Sequence, residues 1–330
     1  MVAKGKGRVA DVGEFGLLKL LQRRFAQPGR GVRVGVGDDA AIIDTVGPGA
    51  VLTADTLIED VDFRLAWASF ADVGHKAAAV NLSDLAAMGA VPRAMLLSLA
   101  VRPADRVADL LALAAAVDRL GKRHGAALVG GDLSRITEDG PLVVSITAVG
   151  EVAPARALRR HRGRPGDWVV VSGNLGGAAA GLSLLETAAG RRGAVVARQL
   201  RPTPRVELGA ALAAARCVRS CADISDGLGT DAGHIAGPGC GVEIDADRLP
   251  VSRAARKVLG DAGRSITDAA LGGGEDFELV LAIAPAHLGQ AQRVAAKAGT
   301  PLSVVGRVVR GRGVCLRDGS PVAAGFDHFA

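Results

Sequence analysis

Across residues 104–124 the apolar side chains of Val107, Leu110, Leu111, Ala114, Val117 and Leu120 recur at steps of three and four, and Gly121 and Gly125 close the run. Only an α-helix gathers that spacing onto one face. The pattern then changes. Residues 126–129 are a short apolar run, GGDLSR reads as a turn, and residues 141–149 have the composition of a strand. The same alternation recurs elsewhere: GHKAAAVNLSDLAAMGA (residues 74–90) reads as a helix, DWVVVSG as a buried strand, NLGGAAAGLSLLE as a glycine-rich turn entering a helix, and FELVLAI as a later strand. Helices alternating with strands predict an α/β fold. The arginine- and proline-rich stretch EVAPARALRRHRGRPG has no apolar period and is the natural boundary. Two domains are therefore expected, 1–150 and 151–330, in a chain long enough for each to bury its own core.

Composition excludes several classes. Hydrophobic residues make up 49% and charged residues 22% of the 330, the balance of a folded chain rather than a disordered one. Apolar stretches are interrupted by Asp or Arg before they reach the roughly 18–20 residues that a bilayer span requires. The basic start MVAKGKGRVADVGEF leads into no apolar segment of a secretory signal. The four cysteines form no CxxC pair, and the six histidines show no zinc spacing. A cytoplasmic protein with reduced thiols and no membrane partner is expected. The net charge of +6 could suit nucleic acid, but the chain has no Tyr, seven Phe and two Trp, too few for stacking platforms. A positive field that gathers phosphorylated metabolites accounts for it equally.

The chemistry lies in carboxylates set among small or apolar residues: Asp38 and Asp39 in GVGDDAAII, Asp55 in LTADTLIED, Asp84 in NLSDLAAMGA, Asp132 in VGGDLSR, Asp223 and Asp226 in DISDGL, Glu275 and Asp276 in GGGEDFEL. Any one alone reads as a turn residue or helix cap. Together they supply the hard oxygens that Mg²⁺ prefers, on backbone that a ligand can approach closely. Two carboxylates about 4 Å apart repel by roughly 1 kcal/mol in water and 4 kcal/mol at an effective dielectric of 20, so convergent acids call for cations. If DDAAII enters a strand, Asp38 and Asp39 face opposite sides and only one need belong to the site. Asn81 and Asp84 share a helix face, either as a metal or substrate pair or as a solvated stripe. His75 and Lys76 read as structural or exposed. GVGDDA fits GxGxxG/A loosely, but a strand rather than a helix follows, and two acids would repel a pyrophosphate. There is no GxxxxGK[ST] loop and no GxSxG elbow.

The ordered set GEFGLLKLL, GVGDDAAII, ADTLIEDVDF, NLSDLAAMGAVP, GGDLSR, RPGDWVVVSG, LRPTPR, DISDGL, GGGEDFEL and GFDHF, running from Gly13 to Phe329, resembles the thiamine-monophosphate kinases. Their wider superfamily includes aminoimidazole ribonucleotide and selenophosphate synthetases. The resemblance implies a homodimer of two-domain subunits. The N-terminal domain dimerises through its sheet and binds ATP and Mg²⁺, and a C-terminal α/β domain completes the substrate site. It implies Mg²⁺ held by Asp39, Thr53, Ala54, Asp55, Asp84, Asp132, Asp223 and Asp226, with Asp84, Asp132 and Asp226 at the catalytic centre. ATP would meet Gly131, Asp132, Arg160 and Ser225, and thiamine monophosphate would meet Asp62, Glu275 and Phe326.

The implied reaction is direct in-line transfer to thiamine monophosphate, giving thiamine diphosphate and ADP. Two positions depart from the family. Ala54 has no hydroxyl where relatives often carry one and offers only its carbonyl. Asp62 stands where relatives place a substrate-contacting His; it is a cation-bridged phosphate contact, a contact to the thiazolium, or a loop residue. The alternatives are a related ATP-dependent enzyme with another acceptor and a non-catalytic metal-binding member.

Overall fold

The computed structural model describes residues 8, 11, 17, 20–21, 23–24, 32–34, 42–43, 50–153, 155–187, 192–322 and 325. Asp38, Asp39 and Phe326 lie outside the described residues. The chain divides into two compact α/β units, Met1–Leu85 with Val91–Glu151, and Ala86–Ala90 with Val152–Ala330.

In the first unit, β1 (Val32–Val34) pairs antiparallel with β2 (Ile42–Ile43). A separate four-stranded sheet follows, in the order β3 (Ala50–Ile58), β6 (Val143–Glu151), β4 (Val91–Val101), β5 (Ala127–Arg135). Its pairs are antiparallel except for β4 and β5. Helix α1 (Phe70–Ala87) starts four residues earlier than its apolar pattern suggested. A reciprocal cap explains this: the Asp72 N–H donates to Ser69 Oγ at 3.2 Å, and the Ser69 N–H donates to Asp72 Oδ2 at 2.9 Å. Helix α2 (Val107–Arg123) buries Val107, Leu110, Ala114, Val117 and Leu120 of the expected face, and Leu113 in place of Leu111, which is half-buried. Asp109 in its first turn and Lys122 and Arg123 in its last oppose the helix dipole favourably. Gly74 lets α1 approach α2 closely, since a Cβ there would lie 2.2 Å from the Leu113 carbonyl oxygen.

GGDLSR is not a turn. It continues β5, which pairs in parallel with β4 across a register shift between Met95 and Leu96. A Cβ on Gly131 would come within 1.7 Å of the Leu97 carbonyl oxygen. Gly131 therefore permits close strand approach rather than chain reversal.

The second unit is built on a six-stranded sheet. Its order is β12 (Val314–Leu316), β9 (Cys240–Ile244), β11 (Leu302–Arg310), β7 (Trp168–Ser172), β10 (Leu279–Ile283), β8 (Ser220–Asp223), with only β12 and β9 parallel. The helices are α3 (Gly177–Glu186), α4 (Ala194–Leu200), α5 (Val206–Ala215), α6 (Leu228–Ile235), α7 (Arg253–Asp261), α8 (Ile266–Gly272) and α9 (Leu288–Lys297). Alternate strand residues Val169, Val171, Val242, Ile244, Val280 and Ala282 bury against Leu228, Ala232, Ile235, Leu259 and Leu271 from the helices. Fully burying one such Leu or Ile contributes about 1.5–3 kcal/mol. All four cysteines are free thiols. Among the described residues no helix is long and apolar enough to cross a membrane.

Candidate active site

In the first unit the period of two along β3 places Thr53 and Asp55 on one face, with exposed Ala54 on the other. Helix α1 brings Asp84 to the Thr53 and Asp55 face. Thr53 Oγ1 donates to Asp84 Oδ2 at 2.5 Å. Burial first, then the Asp84 charge and hydrogen bond, push the Asp55 carboxyl up to about 6. One helical turn before Asp84, Asn81 is fully buried. Its amide donates to the Ala77 carbonyl at 3.0 Å, while its Oδ1 has no partner among the described residues.

The fit to Mg²⁺ is good in donor type: two abutting carboxylates, a hydroxyl and a buried carbonyl oxygen are all hard ligands. Among the described residues no three His, Cys, Asp or Glu side chains stand together as a ready-made cage. Mg²⁺ usually keeps waters and phosphate oxygens and needs only one or two carboxylates from protein.

Asp132 is not brought to this cluster within the chain. Through the sheet register, Asp55 lines up with Ile146, Leu97 and Gly131, whereas Asp132 lines up with Ser98, Ser145 and Thr56 on the opposite face. Strands β3 and β5 are also the two edges, about 14 Å apart at three interstrand spacings. Asp132 Oδ2 instead accepts from Ser134 Oγ at 3.2 Å. Gly131 beside it has a packing duty of its own. Gly131→Ala is expected to cost about 1–3 kcal/mol through strand displacement, measurable by thermal or denaturant unfolding.

Asp62 follows β3 in a turn where Asp60 has φ 66°. Its Oδ2 accepts the Ile58 N–H at 2.8 Å, and its main-chain oxygen accepts from Lys76 Nζ at 2.9 Å. Lys76 is buried, so it braces this turn from below.

In the second unit β8 ends at buried Asp223, and residues 224–227 turn into α6. Arg160 Nη2 stands 3.8 Å from Asp223 Oδ1. The turn is shaped by Asp231, a residue the sequence reading missed. Its Oδ2 accepts the N–H groups of Ser225, Asp226 and Gly227 at 3.0, 3.0 and 3.1 Å. Burial and the Asp226 charge push Asp231 up to about 6 against those three bonds. The signal was available in DISDGLGTD, an acid one helical turn after a glycine-bearing turn.

Glu275 docks on this turn, its N–H donating to the Ser225 carbonyl at 2.6 Å. Gly325 adds to the same place, donating to Thr230 Oγ1 at 3.1 Å. A Cβ on Gly325 would lie 2.5 Å from the Asp226 carbonyl oxygen. Asp223, Ser225, Asp226 and Glu275 are thus gathered, with Arg160 beside Asp223.

Asp276, grouped with the site acids in the sequence, has a different task. It is fully buried and accepts the N–H groups of Gly176, Gly177 and Ala178 at 2.6, 3.1 and 3.2 Å. The N-terminus of α3 is therefore filled by the chain's own carboxylate. Glu278, also unflagged as special, accepts from Ser172 Oγ at 2.6 Å, Arg198 Nη2 at 2.9 Å and Arg205 Nε at 2.6 Å.

Known proteins resemble this chain over nearly its whole length. The AIR synthase related protein family matches residues 37–152 with its N-terminal domain and 164–318 with its C-terminal domain. The thiamine-monophosphate kinase of Salmonella typhimurium is 37% identical, over 96% of this chain and 98% of its own. The crystal structure of the thiamine-monophosphate kinase from Stenotrophomonas maltophilia K279a is 38% identical, with a TM-score of 0.82 over 93% of this chain and 97% of that one. A structure of AaThiL complexed with AMPPCP and TMP is 31% identical, with a TM-score of 0.77 over 98% and 99%. A likeness of that depth across nearly all of both chains places this one in a family: it is a member of the thiamine-monophosphate kinases.

Proposed function

We propose that the chain transfers the γ-phosphoryl group of ATP to thiamine monophosphate in a Mg²⁺-dependent, in-line reaction that yields thiamine diphosphate and ADP. The observation that carries this is the Asp55, Asp84 and Thr53 cluster, three oxygen donors held in contact within a chain whose relatives are thiamine-monophosphate kinases. The acceptor phosphate has a second pKa near 6 and is mostly a dianion at pH 7, so no general base is needed. The acceptor oxygen forms its bond to the γ-phosphorus as the bond to ADP breaks. The obstacle is repulsion between two anions, and bound Mg²⁺ supplies neutralising charge there.

In this reading Asp39, Thr53, the Ala54 carbonyl, Asp55, Asp84, Asp132, Asp223 and Asp226 hold Mg²⁺. Gly131, Asp132, Arg160 and Ser225 meet ATP, and Asp62, Glu275 and Phe326 meet the acceptor. Residues 1–150 form the nucleotide, metal and dimer half, and 151–330 complete the acceptor site and add Arg160, Asp223, Ser225 and Asp226 to the nucleotide and metal. A homodimer through the N-terminal sheet has two supports. Leu52, 68% exposed, and Leu96, 36% exposed, leave that face apolar and uncovered. Asp132 stands on that same face, in line with Ser98 and two strand positions from Leu96, where a partner would meet it. A monomer mass in sedimentation equilibrium would remove the dimer.

The test is direct. Purified protein with ATP, Mg²⁺ and thiamine monophosphate is expected to form thiamine diphosphate and ADP in equal amounts, and chelation of Mg²⁺ to stop it. ADP release without thiamine diphosphate would defeat the reading. Asp62 favours a second reading, an altered acceptor preference, because it replaces a His of the family. Asp62→His is expected to change kcat/KM for thiamine monophosphate several-fold with KM for ATP unmoved. Equal kinetics in both proteins would remove Asp62 from the acceptor site.

A further inference from the structure

The loop carrying Glu275 is unusually constrained. Gly274 has φ 63°, Glu275 φ 56° and Phe277 φ 49°, so left-handed backbone recurs on both sides of Asp276. Non-glycine residues adopt this conformation only when their surroundings over-determine it. Here the main chain is pinned repeatedly. The Glu275 N–H meets the Ser225 carbonyl at 2.6 Å and the Phe277 N–H meets the Ile224 carbonyl at 2.9 Å. Arg198 Nη2 donates to the Asp276 carbonyl at 3.2 Å. The backbone is thus fixed, and the half-buried Glu275 side chain projects from it.

Helix α4 reaches that side chain. Gln199 is 6% exposed, and its Nε2 donates to Glu275 Oε2 at 2.5 Å. Successive helix residues point about 100° apart. Arg198 accordingly turns to Glu278, at 2.9 Å, while Gln199 turns to Glu275. Helix α4 thus sends a guanidinium to the structural acid and a neutral amide to Glu275. An amide fixes a rotamer without adding a charge, so it does not compete with a cationic ligand for the carboxylate. Thiamine monophosphate carries such a cation in its thiazolium ring.

We infer that Gln199 is a positioning residue that sets the Glu275 carboxylate for the cationic part of the acceptor; this rests on the reading of Glu275 as an acceptor contact. Gln199→Met keeps the volume and removes the donor. The expected result is a rise of about tenfold in KM for thiamine monophosphate, the size of one lost hydrogen bond to a charged group. KM for ATP, kcat and the melting temperature should stay close to wild type. Gln199→His, which presents an N–H at similar reach, should recover most of the affinity. In a Glu275→Gln background, Gln199→Met should add little, because the two act as a unit.

Three outcomes overturn the inference. An unchanged acceptor KM in Gln199→Met, where Glu275→Gln raises it, makes the bond irrelevant to the acceptor. Parallel losses for ATP and acceptor with a lowered melting temperature make Gln199 only structural. An unchanged acceptor KM in Glu275→Gln removes Glu275 from the acceptor site, and the role of Gln199 with it.

Discussion

Asp84→Asn is expected to lower turnover by roughly 10³-fold, about 4 kcal/mol of transition-state stabilisation, while the protein stays folded. Asp84 is where α1 meets β3, in contact with Thr53 Oγ1 and beside Asp55. In the absence of metal, replacing a carboxylate by an amide removes a like charge next to Asp55 and leaves an oxygen to accept from Thr53. The variant should therefore melt no lower than wild type without Mg²⁺. With Mg²⁺ and nucleotide the wild type should gain stability through ligand linkage, and the variant should gain much less. Calorimetry with and without Mg²⁺, alongside product formation, separates the two effects. Near-normal turnover with the wild-type Mg²⁺ response would take Asp84 out of the site.

The second large effect concerns stability rather than chemistry. Glu278 is fully buried, and both Arg198 and Arg205 converge on it, with side-chain exposures of 24% and 18%. Burial works to lower the Arg205 pKa, but the hydrogen bond and charge of Glu278 more than offset it. Glu278→Gln leaves two guanidinium groups without their counter-charge. Breaking a buried pair from one side costs about 3–5 kcal/mol, and the partial exposure of the arginines argues for about 3 kcal/mol. In a unit of this size that corresponds to a fall of roughly 6–12 °C in melting temperature. Glu278→Gln combined with Arg205→Met should lose less than the sum of the two single changes, since the second removes a charge the first stranded. Strict additivity would show that the residues do not act together.

Period alone fixed much of the secondary structure. The three- and four-residue steps through Leu110, Ala114 and Val117 determine α2 because only one helical face collects them, and the apolar runs at Val169–Val171 and Leu279–Ile283 can satisfy their backbone in a buried sheet. The family was legible for the same local reason: NLSDLAAMGA, DISDGL and GGGEDFEL are short contiguous runs, read from neighbours along the chain. What failed was reading local composition as local geometry. GGDLSR looked like a turn, but its Gly131 answers to the backbone of Leu97, a residue more than thirty positions earlier, and the segment becomes strand.

Side-chain assignment was least legible. In GGGEDFEL three acids stand within four positions, and the sequence offers no way to rank them. The tertiary structure sends Asp276 to the N-terminus of α3, Glu278 to Arg198 and Arg205, and Glu275 to Ser225 and Gln199. Sheet register likewise separates Asp132 from Asp55, although their sequence surroundings look alike. The sequence determined the elements and the family, since both depend on neighbours along the chain. Which acid caps, which pairs with arginine and which meets a glutamine amide was decided by contacts across 70 to 100 positions, where burial demands a partner and only the fold supplies one.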